Sequence, residues 1–338
     1  MSDLSAQTQS VEAKRAESCV ISRRICGGGN EANIGWALVT SLGASRLGLW
    51  RPLADGPLSP PPRATSGHIC PMSFILIDRP RPHVAQITLN RPERMNAMAF
   101  DVMLPLRNAI DELSVDNDIR VIILTGAGDG FCSGADQADA GRPPHIDGLT
   151  PVSIALRALE VLDRVVLGLR DMHQPVIGAI NGAAIGGGFC LSLACDIRVA
   201  ADTAYFRAAG INNGLTASEL GLSYLLPRTV GQARAAEIML TGRDVDANEA
   251  SQIGLVSNVV PRDQLLETCY DIADKIIGWS RPGIELTKRS LWSSMDAASL
   301  QQHIQLEGIG QLFVRMMTRN FEEGTKARKE GRKAVFLD

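Results

Sequence analysis

Aromatic residues are scarce: Phe, Trp and Tyr together make up 4% of the 338 residues. So few rings argue against the stacking platforms that hold single-stranded nucleic acids. Charge of neither sign dominates, with 34 Lys and Arg against 37 Asp and Glu and a formal net charge of −3. Bulk attraction to nucleic acid is excluded on that ground, and so is a polybasic address for membrane surfaces. No apolar run reaches the 18 or so residues that read as a membrane span. The seven cysteines are odd in number and scattered, without C-x-x-C spacing, and the five histidines lack metal-ligand spacing. No metal is therefore expected, and a reduced, cytoplasmic protein is the default reading. Neither a G-x-x-x-x-G-K-[ST] nor a G-x-S-x-G motif occurs, which removes the usual phosphate-binding loop and the nucleophile elbow.

What is present divides into two textures. Residues 1–71 hold 8 Gly, 6 Pro and 9 Ser with no sustained periodicity. The expectation is a poorly ordered extension created by an over-long start, with Met72 opening the folded unit; a genuine extension packed on the surface is the alternative. Mass spectrometry of the natural protein's N-terminus decides between them, and a peptide from within 1–71 rejects the over-long start.

From residue 74 the chain is patterned to its end. Residues 83–89 read as a strand closed by the turn at Asn90-Arg91-Pro92. Helical spacing runs over 96–113, and 119–125 is a near-continuous apolar strand of the kind a buried parallel sheet wants. A long helix over 154–172, a buried strand over 175–180, an apolar helix opened by Gly186-Gly187-Gly188 and a strand over 196–200 follow. Beyond about 230 the pattern is mostly helical, which predicts an α/β core with a helical C-terminal part.

Two glycine-containing loops stand out as chemistry: Ser133-Gly134-Ala135-Asp136 and Ile185-Gly186-Gly187-Gly188, each after a buried strand. Small residues let a ligand approach the backbone, and free N–H groups at a helix start point outward as donors. Two such groups that converge form an oxyanion hole. Simple turn chemistry and close helix packing explain the same residues equally well.

The runs Ile87-Thr88-Leu89-Asn90-Arg91-Pro92-Glu93-Arg94-Met95-Asn96-Ala97-Met98, Phe131-Cys132-Ser133-Gly134-Ala135-Asp136, Asn181-Gly182-Ala183-Ala184-Ile185-Gly186-Gly187-Gly188 and Cys195-Asp196-Ile197 occur in that order. Together they resemble the enoyl-CoA hydratase/isomerase (crotonase) family over about 72–338. The resemblance implies an α/β fold, a crotonase-like spiral of ββα units over 72–265, with a C-terminal helical trimerisation region over 266–338. It also implies acyl-CoA thioester substrates, no separate cofactor since coenzyme A is part of the substrate, and a homo-oligomer, a trimer or a dimer of trimers. By the same resemblance the N–H groups of Ala135 and Gly187 form the hole for the thioester oxygen. Arg94, Met95, Ala97, Ser133, Asp136, Gln137, Gly186 and Gly210 would line the substrate site.

A hydratase of this family uses two glutamates, and this chain departs from the pattern at both places: Cys190 and Gly210 stand there. The nearest carboxylate is Glu219, whose Thr216-x-x-Glu219 spacing also fits a capping box. The expectation is an acyl-CoA enzyme of the hydratase/isomerase class, with one-base isomerase chemistry through Glu219 as the sharper reading of its mechanism and a catalytically inactive acyl-CoA-binding protein as the alternative. Arg94 either meets a CoA phosphate or faces solvent.

Overall fold

The computed structural model describes residues 73–337; the expectations for 1–71 and for a start at Met72 lie outside the described residues. Strands β1 (Ile75–Arg81) and β2 (Val84–Leu89) pair as an antiparallel hairpin, followed by helix α1 (Phe100–Ser114). One pattern then repeats three times. Its first turn is β3 (Val121–Gly126), β4 (Gly130–Cys132) and α2 (Pro151–Asp171). The second is β5 (Val176–Ile180), β6 (Ala183–Ile185) and α3 (Gly187–Ala194). The third is β7 (Ile197–Ala201), β8 (Tyr205–Arg207) and α4 (Leu222–Val230). Two short strands, β9 (Asp244–Asp246) and β10 (Asn258–Val260), come later.

The first strand of each turn enters a six-stranded sheet in the order β1-β2-β3-β5-β7-β10, and the second enters a four-stranded sheet, β4-β6-β8-β9. Successive turns pair in parallel, β3 with β5 and β5 with β7, β4 with β6 and β6 with β8. The chain thus climbs as a spiral of ββα units. Every residue of β3 and β5 is buried, which is why these strands read as apolar runs and not as alternation. Helix α3 is buried on all sides, as a helix apolar all round must be. Phe189 of α3 meets Phe206 of β8 with ring centroids 5.3 Å apart and planes tilted by 50°, a favoured aromatic geometry.

The remaining helices are α5 (Gln232–Thr241), α6 (Ala247–Gln252), α7 (Leu265–Ile277), α8 (Arg281–Ser294), α9 (Leu300–Met317) and α10 (Asn320–Glu330). Two expectations need correction. The helix expected from 96 begins only at Phe100, because Met95 and Asn96 take left-handed backbone (φ 52° and 55°). The helical part starts earlier than 230, since α4 already runs from Leu222.

A buried ion pair fastens α8 to the spiral. Lys288 Nζ lies 2.9 Å from Asp196 Oδ2 and donates to the carbonyls of Gln174 (2.8 Å) and Leu169 (3.2 Å). Asp196 also accepts from Trp292 Nε1 at 2.6 Å and Val176 N at 2.7 Å. Burial pushes the Lys288 amine below its ordinary value, opposed by the Asp196 carboxylate. Lys288→Met leaves that carboxylate without its cation, and such losses cost about 3–5 kcal/mol. Urea unfolding is expected to show this as a lower midpoint.

Candidate active site

The site is built by three loops, and the first follows β2. Pro92–Arg94 makes one 3-10 turn with Pro at its start, where the missing N–H is no loss. Met95 and Asn96 then turn left-handed, a region an Asn tolerates and a Met does not favour. Asn96 compensates from within. Its side chain is fully buried, accepts from Arg91 N at 2.8 Å and donates to the carbonyls of Ala127 (2.9 Å) and Gly130 (2.8 Å). Ser133 N donates to the Met95 carbonyl at 2.9 Å, tying in the second loop.

That second loop, after β4, carries Ala135. Met98 N donates to Gly134 O at 2.7 Å and Asp136 N donates to Met98 O at 3.0 Å, a parallel bridge between Met98 and Ala135. The bonds fall on either side of Ala135, whose own N–H meets no protein acceptor among the described residues. The Asp136 side chain is buried. It accepts from Arg94 Nη2 at 2.6 Å and from the amides of Ala138 (2.9 Å) and Asp139 (3.0 Å), and Arg91 Nη1 lies 3.0 Å from its second oxygen. The hydrogen bond from Arg94 and those from the loop amides hold its carboxyl far below the usual carboxylate range. Its contribution to stability is in place above the ordinary Asp range and is lost only as pH falls toward the depressed value. Arg94 is thereby engaged by Asp136 while its side chain stays partly exposed.

The third loop joins β6 to α3. Gly186 has φ +52° and Gly187 opens the helix, its N–H again without a protein acceptor among the described residues. This loop lies backbone to backbone against the second. A Cβ at Gly134 would sit 2.7 Å from Ile185 O and 3.3 Å from Gly187 N, and one at Gly188 would collide with the carbonyl of Cys132. Ala135 and Gly187 are therefore on touching loops.

Glu219 lies against the third loop. A Cβ on Gly186 would lie 3.2 Å from Glu219 Oε1. The capping box expected of Thr216 and Glu219 does not form: the Thr216 hydroxyl bonds Ser218 O, and α4 starts later, after a left-handed Leu220 (φ 44°) and Gly221. The carboxylate makes no hydrogen bond or ion pair among the described residues, and burial raises it above its ordinary value. Cys190 is fully buried, its thiol 3.3 Å from Gly186 O and 3.4 Å from Glu219 O. Burial pushes that thiol far up, so it stays neutral. Gly210 is closed off: any Cβ there would run into the carbonyl of Thr216.

Of the residues singled out from sequence, Arg94, Met95, Ser133, Ala135, Asp136, Gly186, Gly187 and Glu219 gather at this junction. Ala97 is buried beside it, Gln137 is exposed at the rim, and Gly210 backs the 211–217 loop. Sequence reasoning placed Asn96 only in the loop expected to line the substrate site, and gave no part in the site to Met98, Arg91 or Leu220. Asn96, Met98 and Arg91 lay inside a quoted motif, but nothing in their identity announces a strut or a bridge. Among the described residues no three His, Cys, Asp or Glu side chains are grouped to hold a metal, and no helix is long and apolar enough to cross a membrane.

Comparison with known proteins fits this geometry. The family model for enoyl-CoA hydratase/isomerase matches residues 80–338. The chain belongs to the enoyl-CoA hydratase/isomerase family. It is 64% identical over 276 residues to the "Probable enoyl-CoA hydratase echA12" of Mycobacterium bovis, covering 82% of this chain and 97% of that one. Among solved structures, an enoyl-CoA hydratase/isomerase of Mycobacterium abscessus, described as probable, is 66% identical with a TM-score of 0.75, covering 78% of this chain and 98% of that one. A monofunctional enoyl CoA isomerase from M. smegmatis is 62% identical with a TM-score of 0.60, covering 69% and 99%. These likenesses bear out the crotonase-like α/β fold expected from sequence.

Removing the Asn96 amide strands its buried partners. Asn96→Ala is expected to cost about 2–3 kcal/mol, read as a lower midpoint in denaturant unfolding.

Proposed function

We propose that this member of the enoyl-CoA hydratase/isomerase family, an acyl-CoA enzyme by that membership, moves a double bond: the N–H groups of Ala135 and Gly187 hold the thioester oxygen, and Glu219 carries the proton. One observation bears most of this reading. A half-buried carboxylate with no protein partner among the described residues lies beside Gly186, while Cys190 and Gly210 leave the family's two glutamate positions without a carboxylate. The isomerase among the similar structures supports the same class.

The chemistry follows from that inventory. With a 3-enoyl thioester, Glu219 takes the proton from the α carbon, and the electron pair spreads through the double bond onto the carbonyl oxygen. Fixed donors at that oxygen stabilise the dienolate; removing one such donor typically costs about 10²–10³ in rate. The same carboxyl group returns the proton to the γ carbon, which yields the 2-enoyl thioester with nothing gained or lost. Adding water across a 2-enoyl bond needs a group to activate water and another to protonate carbon, and among the described residues Glu219 alone is a carboxylate without a partner beside the two loops. Coenzyme A enters as part of the substrate, with Arg94, Met95, Ala97, Ser133, Asp136 and Gln137 lining its approach and no separate cofactor needed.

The closed glutamate positions also favour a second reading, a catalytically inactive acyl-CoA-binding protein. Incubation with crotonyl-CoA and a 3-enoyl-CoA in D₂O separates the two. Expected are double-bond migration with exchange at the α carbon, no hydration of crotonyl-CoA, and a loss of about 10²-fold or more in Glu219→Gln. Because Glu219 must be ionised to accept a proton, the rate is expected to fall as pH drops through its raised value. Tight binding without exchange selects the binding protein; exchange that survives Glu219→Gln moves the base elsewhere.

Assembly belongs to the same proposal. Helix α9 has no buried residue, and Ile304, Ile309, Leu312, Phe313 and Met316 are each more than half exposed. Apolar area of that extent calls for cover, and a homotrimer or a dimer of trimers supplies it. Light scattering on the purified protein is expected to give three or six chains, and a monomer rejects this part. A cytoplasmic location completes the proposal, with Cys132, Cys190, Cys195 and Cys269 as free, buried thiols.

A further inference from the structure

One residue touches both donor loops. Through its backbone Met98 brackets Ala135, donating to Gly134 O at 2.7 Å and accepting from Asp136 N at 3.0 Å. Ala135 cannot move without carrying the Met98 backbone along. Through its side chain Met98 meets the other loop. Its sulfur occupies the space in which a Cβ on Gly187 would stand, with its terminal methyl 3.1 Å and Leu220 Cδ1 3.5 Å from the same point. Met98 is 6% exposed, so the thioether is held between the loops and not free to swing into solvent.

We infer that Met98 is a positioning residue that sets the gap between the Ala135 and Gly187 amides, an inference that rests on the oxyanion reading proposed above. The physical reason is the steepness of hydrogen bonding with distance and angle. Two donors act on one oxygen only if their separation is fixed before the charge develops. Ala135 is fixed by bonds, but Gly187 has no side chain of its own with which to wedge itself. The Met98 thioether supplies the missing wedge: its long, unbranched and polarisable chain fills an irregular gap well. Truncation leaves a void beside Gly187 into which the helix start can relax. A glycine at 187 and a long apolar side chain at 98 are two halves of one contact, because a side chain on 187 would collide with the sulfur.

The test reads the carbonyl directly. Crotonyl-CoA labelled with ¹³C at the carbonyl is bound to the wild type, Met98→Ala and Met98→Leu, and the lowering of the carbonyl stretch is measured by difference infrared spectroscopy. Isomerisation of a 3-enoyl-CoA is measured alongside. In the wild type the stretch falls on binding. In Met98→Ala at least about half of that fall is lost and kcat drops about 10-fold, with KM unchanged within about threefold, as for an interaction made mainly in the transition state. Met98→Leu, which refills the space, keeps both. Should Met98→Ala not fold, Met98→Val takes its place, with the same expected loss. A full carbonyl shift in the truncated variant, whatever its kcat, overturns the inference, since a merely structural role would leave the bound carbonyl alone. A wild type with no shift is a different failure: it removes the Ala135 and Gly187 hole itself, and the role of Met98 with it.

Discussion

The buried side-chain amide of Asn96 ties the loop after β2 to two points of the turn between β3 and β4. Strands β2 and β3 pair as far as Leu89 and Gly126, and Ala127 N donates to Leu89 O at 2.8 Å, so the two stretches leave the sheet side by side and Asn96 fixes their course beyond it. Once Asn96 joins them, Ser133 reaches the Met95 carbonyl and Met98 lies alongside Ala135. The glycine contacts at 134 and 188 then bring the α3 start against the same loop. An amide suits this task because it offers donors and an acceptor without a charge to desolvate. The left-handed backbone at Met95 and Asn96 is strain that such a network can hold in place.

The second organising constraint is electrostatic. Asp136 and Glu219 sit near the same two loops in opposite environments. Asp136 is surrounded by Arg91, Arg94 and loop amides, so it stays ionised and structural. Glu219 has burial without a partner, so its charge is costly and its proton negotiable. Environments that push two carboxyl groups apart are a sound guide to which is scaffold and which is reagent. The sequence neighbours of each residue said only part of this, since Arg94, the largest influence on Asp136, stands 42 residues upstream.

Much of the fold was legible because burial writes itself into composition. The apolar runs at 121–124 and 176–180 could belong only to covered strands, and the triple glycine followed by an apolar stretch marked α3. The three-residue strands β4, β6 and β9 were not legible, as a period of two cannot show itself in three residues. The start of α1 was misjudged because left-handed turns at Met95 and Asn96 leave the hydrophobic spacing intact while breaking the helix. Glu219 misled in the same way. Thr216 and Glu219 have the spacing of a cap, yet Leu220 and Gly221 turn the chain left before the helix begins. The motif residues Ala135 and Gly187 could be picked out by likeness, whereas the Met98 bridge depends on two loops meeting in space, which no single stretch of sequence records.

Gly210 bears on how this site can be altered. A Cβ there would stand on the Thr216 carbonyl, so no other residue fits without rebuilding the 211–217 loop. A carboxylate installed at 210 alone has no room; the loop must open first, and Glu219 rides on the segment just beyond it. Adding a second acid to this site is therefore a matter of loop redesign before it is one of side-chain exchange.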